Sequence, residues 1–345
     1  MLGIFFVSLH NFAPMKKIKV AQFGLGPIGI ESLKLAGQKP WIEIVGAVDI
    51  DPNKTGKDLG EICGHENPRR LKVSASLDDL LAGAKPDVVL HTTVSKFKDA
   101  FAQIEPIARR GISVVSSCEE LIFPQLLQPA LASQLDEICK NGGARVVATG
   151  VNPGFVMDVL PVCLTGVCRD VRAIRIQRVV NAATRREPLQ RKIGSCLPPA
   201  EFEKKFREGR AGHAGLKESL ALIAYCMKWE AKDLTETCKA VVADHDIKTK
   251  FLEVKTGQTC GLHQHAEAKV NGKVVLTLDL KMYLDAPNPH DATQIEGEPP
   301  LNMRIEGGVA GDQATVAALV NTAARVGDAK AGLLLMTDLS VPCRA

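Results

Sequence analysis

The chain has 345 residues and a formal net charge of +4, with 43 lysines and arginines against 39 aspartates and glutamates. This length suffices for two domains, and the scattered basic residues predict no nucleic-acid partner. The ten cysteines show no CxxC pair or zinc-ligand spacing, so we expect reduced thiols and no metal. No segment has the about 18 apolar residues that cross a bilayer, so we expect a cytoplasmic protein with no membrane partner.

The first segment, residues 1–14, is apolar and precedes Met15. It resembles the hydrophobic part of a signal peptide, but it lacks the basic residues that come before such a part. Met15 is followed by two lysines and then by the first predicted strand. We therefore expect residues 1–14 to be an extension outside the fold and Met15 to be an alternative initiation site.

A strand, a glycine turn and a helix follow one another next. The strand is predicted over residues 18–23 and the helix over residues 28–38, and Gly-Leu-Gly-Pro-Ile-Gly lies between them. The first glycine permits a tight turn, the second lets the backbone approach a pyrophosphate, and the third allows close packing of helix on strand. The helix N-terminus adds unpaired N–H donors and a partial positive charge. The predicted cofactor-binding residues of this turn are Gly24, Gly26, Pro27, Ile28 and Gly29.

A second predicted strand, residues 42–48, ends at Asp49. At this spacing from the glycine turn, a carboxylate accepts hydrogen bonds from both ribose hydroxyls and repels a 2′-phosphate, so the cofactor is NAD or NADP, with NAD favoured by Asp49. An alternative is that Asp49 only starts the turn before Asp51 and Pro52. Nearby basic residues that could still accommodate the phosphate are Lys54, Arg69 and Arg70.

Strands and helices continue to alternate along the first half of the chain. Strands are predicted at residues 87–92, 112–116 and 145–149, and helices at 96–109 and 125–141. This alternation predicts a Rossmann fold of the α/β class, in which helices cover both faces of a doubly wound parallel sheet. Ligands bind at the carboxyl ends of such strands. The residues near these ends that we assign to the cofactor site are Thr92, Thr93, Ser117 and Cys118.

Beyond residue 150 the pattern changes to a period of two, which is typical of a half-exposed antiparallel sheet. The alternating runs begin at Ala173, Thr249, His263 and Val274, and helices are predicted over residues 199–209, 215–229 and from Asp312. The sequence thus predicts a dinucleotide-binding domain over residues 15–151, to which residues 308–345 return. Residues 152–307 are predicted to form an α+β domain, built on a mostly antiparallel sheet, for substrate binding and dimerisation.

Several polar residues of the second half are further candidates for the site. Asn152 and Gly154 lie at the crossing between the predicted domains and could face the nicotinamide carboxamide, but Asn-Pro-Gly is also an ordinary turn. His263 and His265 share one face of a predicted strand and, like His213, could meet the substrate or be structural. Four basic residues could bind a substrate carboxylate or face water: Arg178, Arg185, Arg191 and Lys192.

Five motifs carry a family resemblance. They are Gly24-Leu-Gly-Pro-Ile-Gly29, Ser117-Cys-Glu-Glu-Leu121, Gly150-Val-Asn-Pro-Gly-Phe-Val-Met-Asp158, Gly212-His-Ala-Gly-Leu-Lys-Glu-Ser219 and Gly311-Asp-Gln-Ala-Thr315. Together they resemble the 2,4-diaminopentanoate dehydrogenase group, which includes amine dehydrogenases and is distantly similar to dihydrodipicolinate reductases. The resemblance implies NAD(P)-dependent oxidative deamination of a primary amine or diamino acid to a carbonyl, or the reverse amination with ammonia. It also implies a homodimer.

The oxidation of an amine itself requires a base. A hydride leaves the carbon only when the attached nitrogen has a free lone pair, so an ammonium substrate must first lose a proton. The resemblance places a catalytic glutamate in the Cys-Glu-Glu segment, and we assign this role to Glu119, with Glu120 as the other candidate. The alternative is that both carboxylates only complement the dipole of a helix that begins at Leu121.

Two other functions stay open at this point. A dihydrodipicolinate-reductase-like enzyme would reduce a cyclic imine, but that family uses a His-His pair in its substrate domain, and this sequence has none. A non-enzymatic sensor would bind NAD(H) in the first domain and a partner through the second.

Overall fold

The computed structural model describes residues 17–345. The extension expected over residues 1–14, and Met15, lie outside the described residues. The described chain forms two compact units, of which the first ends at Thr92 and the second runs from Thr93 to Ala345. The sequence predicts a boundary between functional domains after residue 151. The division into compact units does not test that boundary, which stays a prediction.

The first unit contains four parallel strands in the order β4-β1-β2-β3. Its elements are β1 (Ile18–Phe23), α1 (Pro27–Gly37), β2 (Ile42–Val48), α2 (Leu59–Cys63), β3 (Val73–Ser74), α3 (Leu77–Gly83) and β4 (Val88–His91). The first two strands coincide with the predicted ones. Helix α1 begins one residue before the predicted start, because Pro27 suits a first helical position, where no N–H is needed.

The second unit begins with a parallel part covered by helices. Its elements are α4 (Phe97–Ala108), β5 (Ser113–Ser116), α5 (Pro129–Gly142), β6 (Arg145–Ala148) and, near the end of the chain, β15 (Gly332–Leu334). The strands pair in the order β15-β6-β5. The helix predicted from residue 125 begins later, at Pro129, because residues 123–128 form turns in which Leu126 N donates to Phe123 O.

A six-stranded sheet with its helices makes up the rest of the second unit. The elements are α6 (Val159–Thr165), β7 (Asp170–Asn181), α7 (Glu187–Lys192), α8 (Pro199–Arg207), α9 (Leu216–Cys226), β8 (Lys232–Val242), β9 (Ile247–Lys248), β10 (Glu253–Val254), β11 (Thr259–Val270), β12 (Lys273–Tyr283), β13 (His290–Glu298), β14 (Leu301–Glu306) and α10 (Gly311–Val326). The sheet order is β14-β13-β7-β12-β11-β8, and only β7 and β12 pair in parallel. The predicted fold class, a Rossmann-type α/β fold followed by an α+β part on a mostly antiparallel sheet, is confirmed.

The strand predicted from Thr249 is wrong. The chain there forms a short hairpin of the two-residue strands β9 and β10. The Thr249 hydroxyl accepts hydrogen bonds from Phe251 N and Leu252 N, at 3.1 and 2.9 Å, and so stabilises a reversal of the chain. The alternating run therefore contains a turn, because the Thr249 side chain binds backbone N–H groups and so competes with strand formation.

The core of the six-stranded sheet lies on one of its faces. Alternate residues of the neighbouring strands β11 and β12 are buried there, as the period of two predicts. These residues are Leu262, Ala266, Ala268, Leu276, Leu278 and Leu280. Helix α9 packs against the same strands and buries Leu220 and Ile223. In β11 and β12, the residues that alternate with these buried ones point to the opposite face of the sheet.

This arrangement predicts unequal effects of two adjacent substitutions in β12. Leu278 is fully buried, so Leu278→Ala should lower the free energy of unfolding by about 2–5 kcal/mol, as other buried leucines do. Thr277 points to the opposite face, so Thr277→Ala should change the free energy of unfolding by about 0.5 kcal/mol or less. Denaturant unfolding measures both, and equal losses would contradict the orientation of this strand.

Candidate functional site

The glycine turn of the first unit is fixed by side chains from β1 and β4. Gly24 follows β1 with φ of 92°, a conformation that favours glycine. The Gln22 amide donates to Gly24 O and to Thr92 Oγ1, at 3.0 and 2.8 Å. A Cβ on Gly29 would lie 2.0 Å from Gly24 O, so the helix approaches the turn as closely as the sequence predicted. Thr92 thus helps to hold the turn.

Gly26 differs from the other two glycines of the turn. Its φ and ψ, −67° and 179°, are open to any residue, and no heavy atom lies within 4 Å of the position its Cβ would occupy. The fold itself therefore gives no reason for glycine here. Pro27 and Ile28 form the first turn of α1. A bound pyrophosphate needs open space in front of this N-terminus, and Gly26 leaves it free.

Asp49 follows β2 and lies next to the same turn. Its carboxylate accepts from Leu25 N at 2.6 Å and from Asp51 N at 2.8 Å. The Lys54 ammonium is 3.6 Å from Asp49 Oδ2 and 3.2 Å from Asp51 Oδ2. Asp49 therefore joins the glycine turn to the following turn, and the predicted phosphate-accommodating Lys54 is already paired with carboxylates.

The assigned residues around β5 belong to the second unit. Thr93 is exposed, and its hydroxyl donates to Gln103. Cys118 is buried, its N–H donates to Ser116 Oγ, and its thiol donates to Ser95 O. Burial raises the pKa of the Cys118 thiol to about 12, so this residue stays protonated and is no nucleophile. Ser117 is partly buried beside it.

The two glutamates that follow have different surroundings. Glu120 Oε2 accepts from Phe97 N at 2.8 Å and so satisfies a free N–H at the start of α4. Glu119 is partly buried. Burial raises the pKa of Glu119, while the Lys192 charge opposes the rise.

Asn152 and His213 belong to two loops that meet beside this glutamate. His213 Nε2 donates to Asn152 O at 3.0 Å. Asn152 is buried, and neither atom of its side-chain amide has a partner in the described chain. A Cβ on Gly215 would lie 2.5 Å from the Pro153 ring and 3.2 Å from Glu119 Cβ, so this loop packs directly on Glu119.

His213 is a neutral imidazole. Burial lowers its pKa to about 4, and the charges of Lys192 and Arg178 contribute. Because the carbonyl of Asn152 can only accept, Nε2 carries the proton and Nδ1 keeps its lone pair. The backbone of His213 is fixed by Gln264, whose amide accepts from His213 N at 2.8 Å and donates to His213 O at 2.9 Å.

Asp158 holds the segment that carries Asn152. Its fully buried carboxylate accepts from Gly154 N, Val159 N and Ser219 Oγ at 2.6 to 2.7 Å. Gly154 adopts φ of 120°, where a side chain would be strained and would press on Gly150. Gly154 thus shapes this loop, together with a carboxylate that the sequence showed only as part of a motif.

The structure does not bring His263 and His265 to this group. Both histidines contact Asp279 Oδ2, at 2.8 and 3.3 Å. They point to the face of the sheet opposite the one that holds Gln264, which lies between them on β11. The pair forms a half-exposed charged cluster there.

Sequence reasoning did not assign Glu218 to the site, and it left Lys192 as one of four basic candidates. Glu218, in the first turn of α9, is 4% exposed, and burial raises its pKa to about 7, with Glu120 and Glu236 adding to the rise. Lys192, at the end of α7, was only one of four basic candidates, yet its charge acts on both Glu119 and His213. Both residues approach the other charged groups only in the folded chain, and their spacing in the sequence does not reveal this.

Two kinds of site are absent from the described residues 17–345. They contain no group of three histidines, cysteines or acidic residues that could hold a metal ion. Within the same range, none of the helices has the length and apolar composition of a membrane span.

Comparisons with known proteins identify the family of the chain. The 2,4-diaminopentanoate dehydrogenase C-terminal domain matches residues 155–345. A 2,4-diaminopentanoate dehydrogenase of Acetoanaerobium sticklandii is 31% identical over 95% of both chains, and an amine dehydrogenase of Streptomyces virginiae is 23% identical over 84% of this chain and 85% of its own. The solved amine dehydrogenase of Mycobacterium smegmatis shares the fold, with a TM-score of 0.84 and 22% identity over 95% of this chain and 97% of that one. The chain therefore belongs to the 2,4-diaminopentanoate dehydrogenase family.

Proposed function

We propose that the protein is an NAD(P)-dependent dehydrogenase of primary amines or diamino acids, like 2,4-diaminopentanoate. An ammonium substrate, an oxidised dinucleotide and water give a carbonyl compound, ammonium, the reduced dinucleotide and a proton. The same residues serve the reverse amination with ammonia. The observation that carries the proposal is Glu119, a partly buried carboxylate that, unlike Glu120, does not cap α4. The loop that carries His213 packs on it through Gly215.

Glu119 acts as the general base in this proposal. It takes a proton from the substrate ammonium, which frees the nitrogen lone pair that drives hydride departure. The resulting iminium carbon is cationic, and the carboxylate stabilises it electrostatically. A raised pKa suits both directions, because the group can return the proton when ammonia adds to a carbonyl.

Asn152 and His213 orient the substrate. The unpartnered amide of Asn152 offers one donor and one acceptor group in a buried place, where leaving them unpaired costs free energy. The neutral His213 adds an acceptor at Nδ1 and no charge that would compete for the ammonium. Glu120, Ser117, Cys118 and Gly154 support this group by fixing its loops.

The glycine turn of the first unit fits a dinucleotide. Gly26 leaves open space at the start of α1, and Asp49 holds the turn in place. Ile50, which follows Asp49, is 89% exposed and offers an apolar surface to an adenine ring. When bound, the dinucleotide supplies the hydride acceptor. We propose NAD as the preferred cofactor, because the Asp49 carboxylate repels a 2′-phosphate.

Domain roles and assembly form the next part of the proposal. We propose that residues 15–151 and 308–345 bind the cofactor and that residues 152–307 bind the substrate and form a homodimer. Strand β15 pairs with β6, which supports the return of the C-terminal segment. A cytoplasmic location is supported by the described cysteines, all of which are free.

An activity panel tests the proposal. Nicotinamide absorbance is followed with 2,4-diaminopentanoate and simpler amines at alkaline pH, with NAD and with NADP, and with ketones and ammonium in reverse. We expect amine-dependent reduction of NAD, with a lower kcat/KM for NADP. NADH binding without turnover of any amine would favour a sensor, and turnover of a cyclic imine alone would favour the reductase alternative.

A further inference from the structure

Two arginines of the described chain are buried, and they differ in their partners. Arg178 is 3% exposed, and its guanidinium lies 2.6 Å from the Asp291 carboxylate. Arg325, in the last turn of α10, is 8% exposed, and no carboxylate of residues 17–345 lies at salt-bridge distance from it. An arginine is always charged, and a buried charge without a counter-charge is costly, so buried charges are normally paired. Arg325 lacks the partner that Arg178 has.

The hydrogen bonds of Arg325 do not neutralise its charge. Its Nη1 donates to Ser340 O, and its Nη2 lies 3.4 Å from Thr322 Oγ1. Nε is buried and has no acceptor within the described chain. Both of the acceptors that it does find are neutral, and they use two of the five N–H groups of the guanidinium. The positive charge is thus left without a counter-ion.

A cavity of about 280 Å³ adjoins Arg325. Three parts of the second unit line it: the loop that follows β6, one face of α10 and the last residues of the chain. The face of α10 contributes the small side chains of Ala314, Ala317 and Ala318, and the loop contributes Val151. The walls are therefore mostly apolar, as in sites for small molecules.

The polar part of this cavity favours an anion. Arg325, Arg344 and Asn321 line it, and no aspartate or glutamate is among the residues that do. Arg344 is exposed, so water and salt screen its charge, whereas the buried charge of Arg325 has to be balanced from inside. One buried positive charge requires one negative charge, and a guanidinium matches the planar geometry of a carboxylate.

We propose that this cavity binds a small monocarboxylate, whose carboxylate pairs with Arg325 and whose short aliphatic chain lies along the alanine face of α10. The inference does not depend on the proposed function, because binding at this cavity is measured without turnover. A neutral compound of the same shape would fill the apolar part but leave the charge of Arg325 unbalanced.

The first test compares two compounds that differ in this charge, hexanoate and its neutral amide, hexanamide. Isothermal titration calorimetry measures their Kd with the wild type, Arg325→Met and Arg207→Met. Methionine is long and apolar and removes the charge. Arg207→Met is the matched control, because Arg207 also lies in the last turn of a helix, α8, but is exposed and does not line the cavity.

We expect the wild type to bind hexanoate about tenfold or more tightly than hexanamide, and Arg325→Met to raise the Kd for hexanoate by about tenfold or more. Arg207→Met should bind like the wild type. The melting temperature of Arg325→Met should not fall, since an unpaired buried charge has been removed. No binding of hexanoate, equal binding of the two compounds, or an unchanged Kd in Arg325→Met would overturn the inference.

A second measurement locates the ligand in the wild type and needs no variant. Cys343 and Cys163 are both exposed, but of these two only Cys343 lines the cavity. Hexanoate should slow the alkylation of Cys343 by iodoacetamide several-fold, because the bound ligand covers this thiol, and should leave Cys163 unchanged. Mass spectrometry of the alkylated peptides gives both rates. Protection of neither cysteine, or of both equally, would contradict the placement even if Arg325→Met did not fold.

Discussion

Glu119→Gln is expected to lower kcat/KM for amine oxidation by roughly 10²- to 10⁴-fold, the range that a positioned acid–base group contributes. Glutamine keeps the size of the side chain, but it cannot take a proton from the substrate. Nicotinamide absorbance measures the loss. The Kd for NADH, obtained by fluorescence titration, should not change, because the predicted dinucleotide turn belongs to β1 and α1.

Glu120→Gln is the matched control for this substitution. A glutamine at this position keeps an oxygen that accepts from Phe97 N, so α4 keeps its cap. We expect kcat/KM within about threefold of the wild type, since a capping contact affects stability by about 1 kcal/mol and not the chemistry. A large loss in Glu120→Gln together with a small one in Glu119→Gln would reverse the two assignments.

The pH dependence of kcat/KM provides a second readout of Glu119. Burial raises the pKa of this carboxyl, so it is protonated, and inactive as a base, at pH values where an ordinary glutamate is ionised. Deamination should therefore fall as the pH drops through this raised pKa. The substrate ammonium titrates separately, near pH 10 (approximately, as for an alkylamine such as lysine). The residual activity of Glu119→Gln should lack the fall that Glu119 causes and should follow only the titration of the substrate ammonium.

The parts of the fold that could be predicted from sequence are those that local patterns determine. The glycine turn, the strands β1 and β2 and the period-two strands β11 and β12 follow from residue types within a few positions of each other. Thr249 shows the limit of such patterns: one hydroxyl that binds two backbone N–H groups produced a hairpin turn within an alternating run.

The candidate site was predictable only in part, for a physical reason. The Cys-Glu-Glu segment identified a pair of carboxylates, but the choice between them depends on Phe97 N, which comes from a different helix. Likewise, the charge of Lys192 acts on Glu119 and His213 across the fold, whereas Arg178 and Arg185 are neutralised by partners far along the chain. Charge pairing of this kind is decided by tertiary structure.

Gly26→Ala is expected to fold like the wild type and to bind NADH roughly 10- to 100-fold more weakly. The backbone of Gly26 is ordinary, and its Cβ would meet no protein atom within 4 Å, so the melting temperature should not change. The added methyl group would instead occupy the space that a pyrophosphate needs. Crowding of this size costs about 1–3 kcal/mol, which corresponds to the stated loss of affinity.

Gly29→Ala is the comparison that separates binding from folding. Its Cβ would lie 2.0 Å from the backbone oxygen of Gly24, which cannot move without opening the turn that Gln22 and Thr92 hold. We therefore expect Gly29→Ala to lose both NADH affinity and melting temperature. Fluorescence titration and thermal unfolding of the two variants test this together. Unchanged NADH binding by Gly26→Ala would mean that no pyrophosphate lies at this turn, whereas a lowered melting temperature in Gly26→Ala would show that its glycine serves the fold.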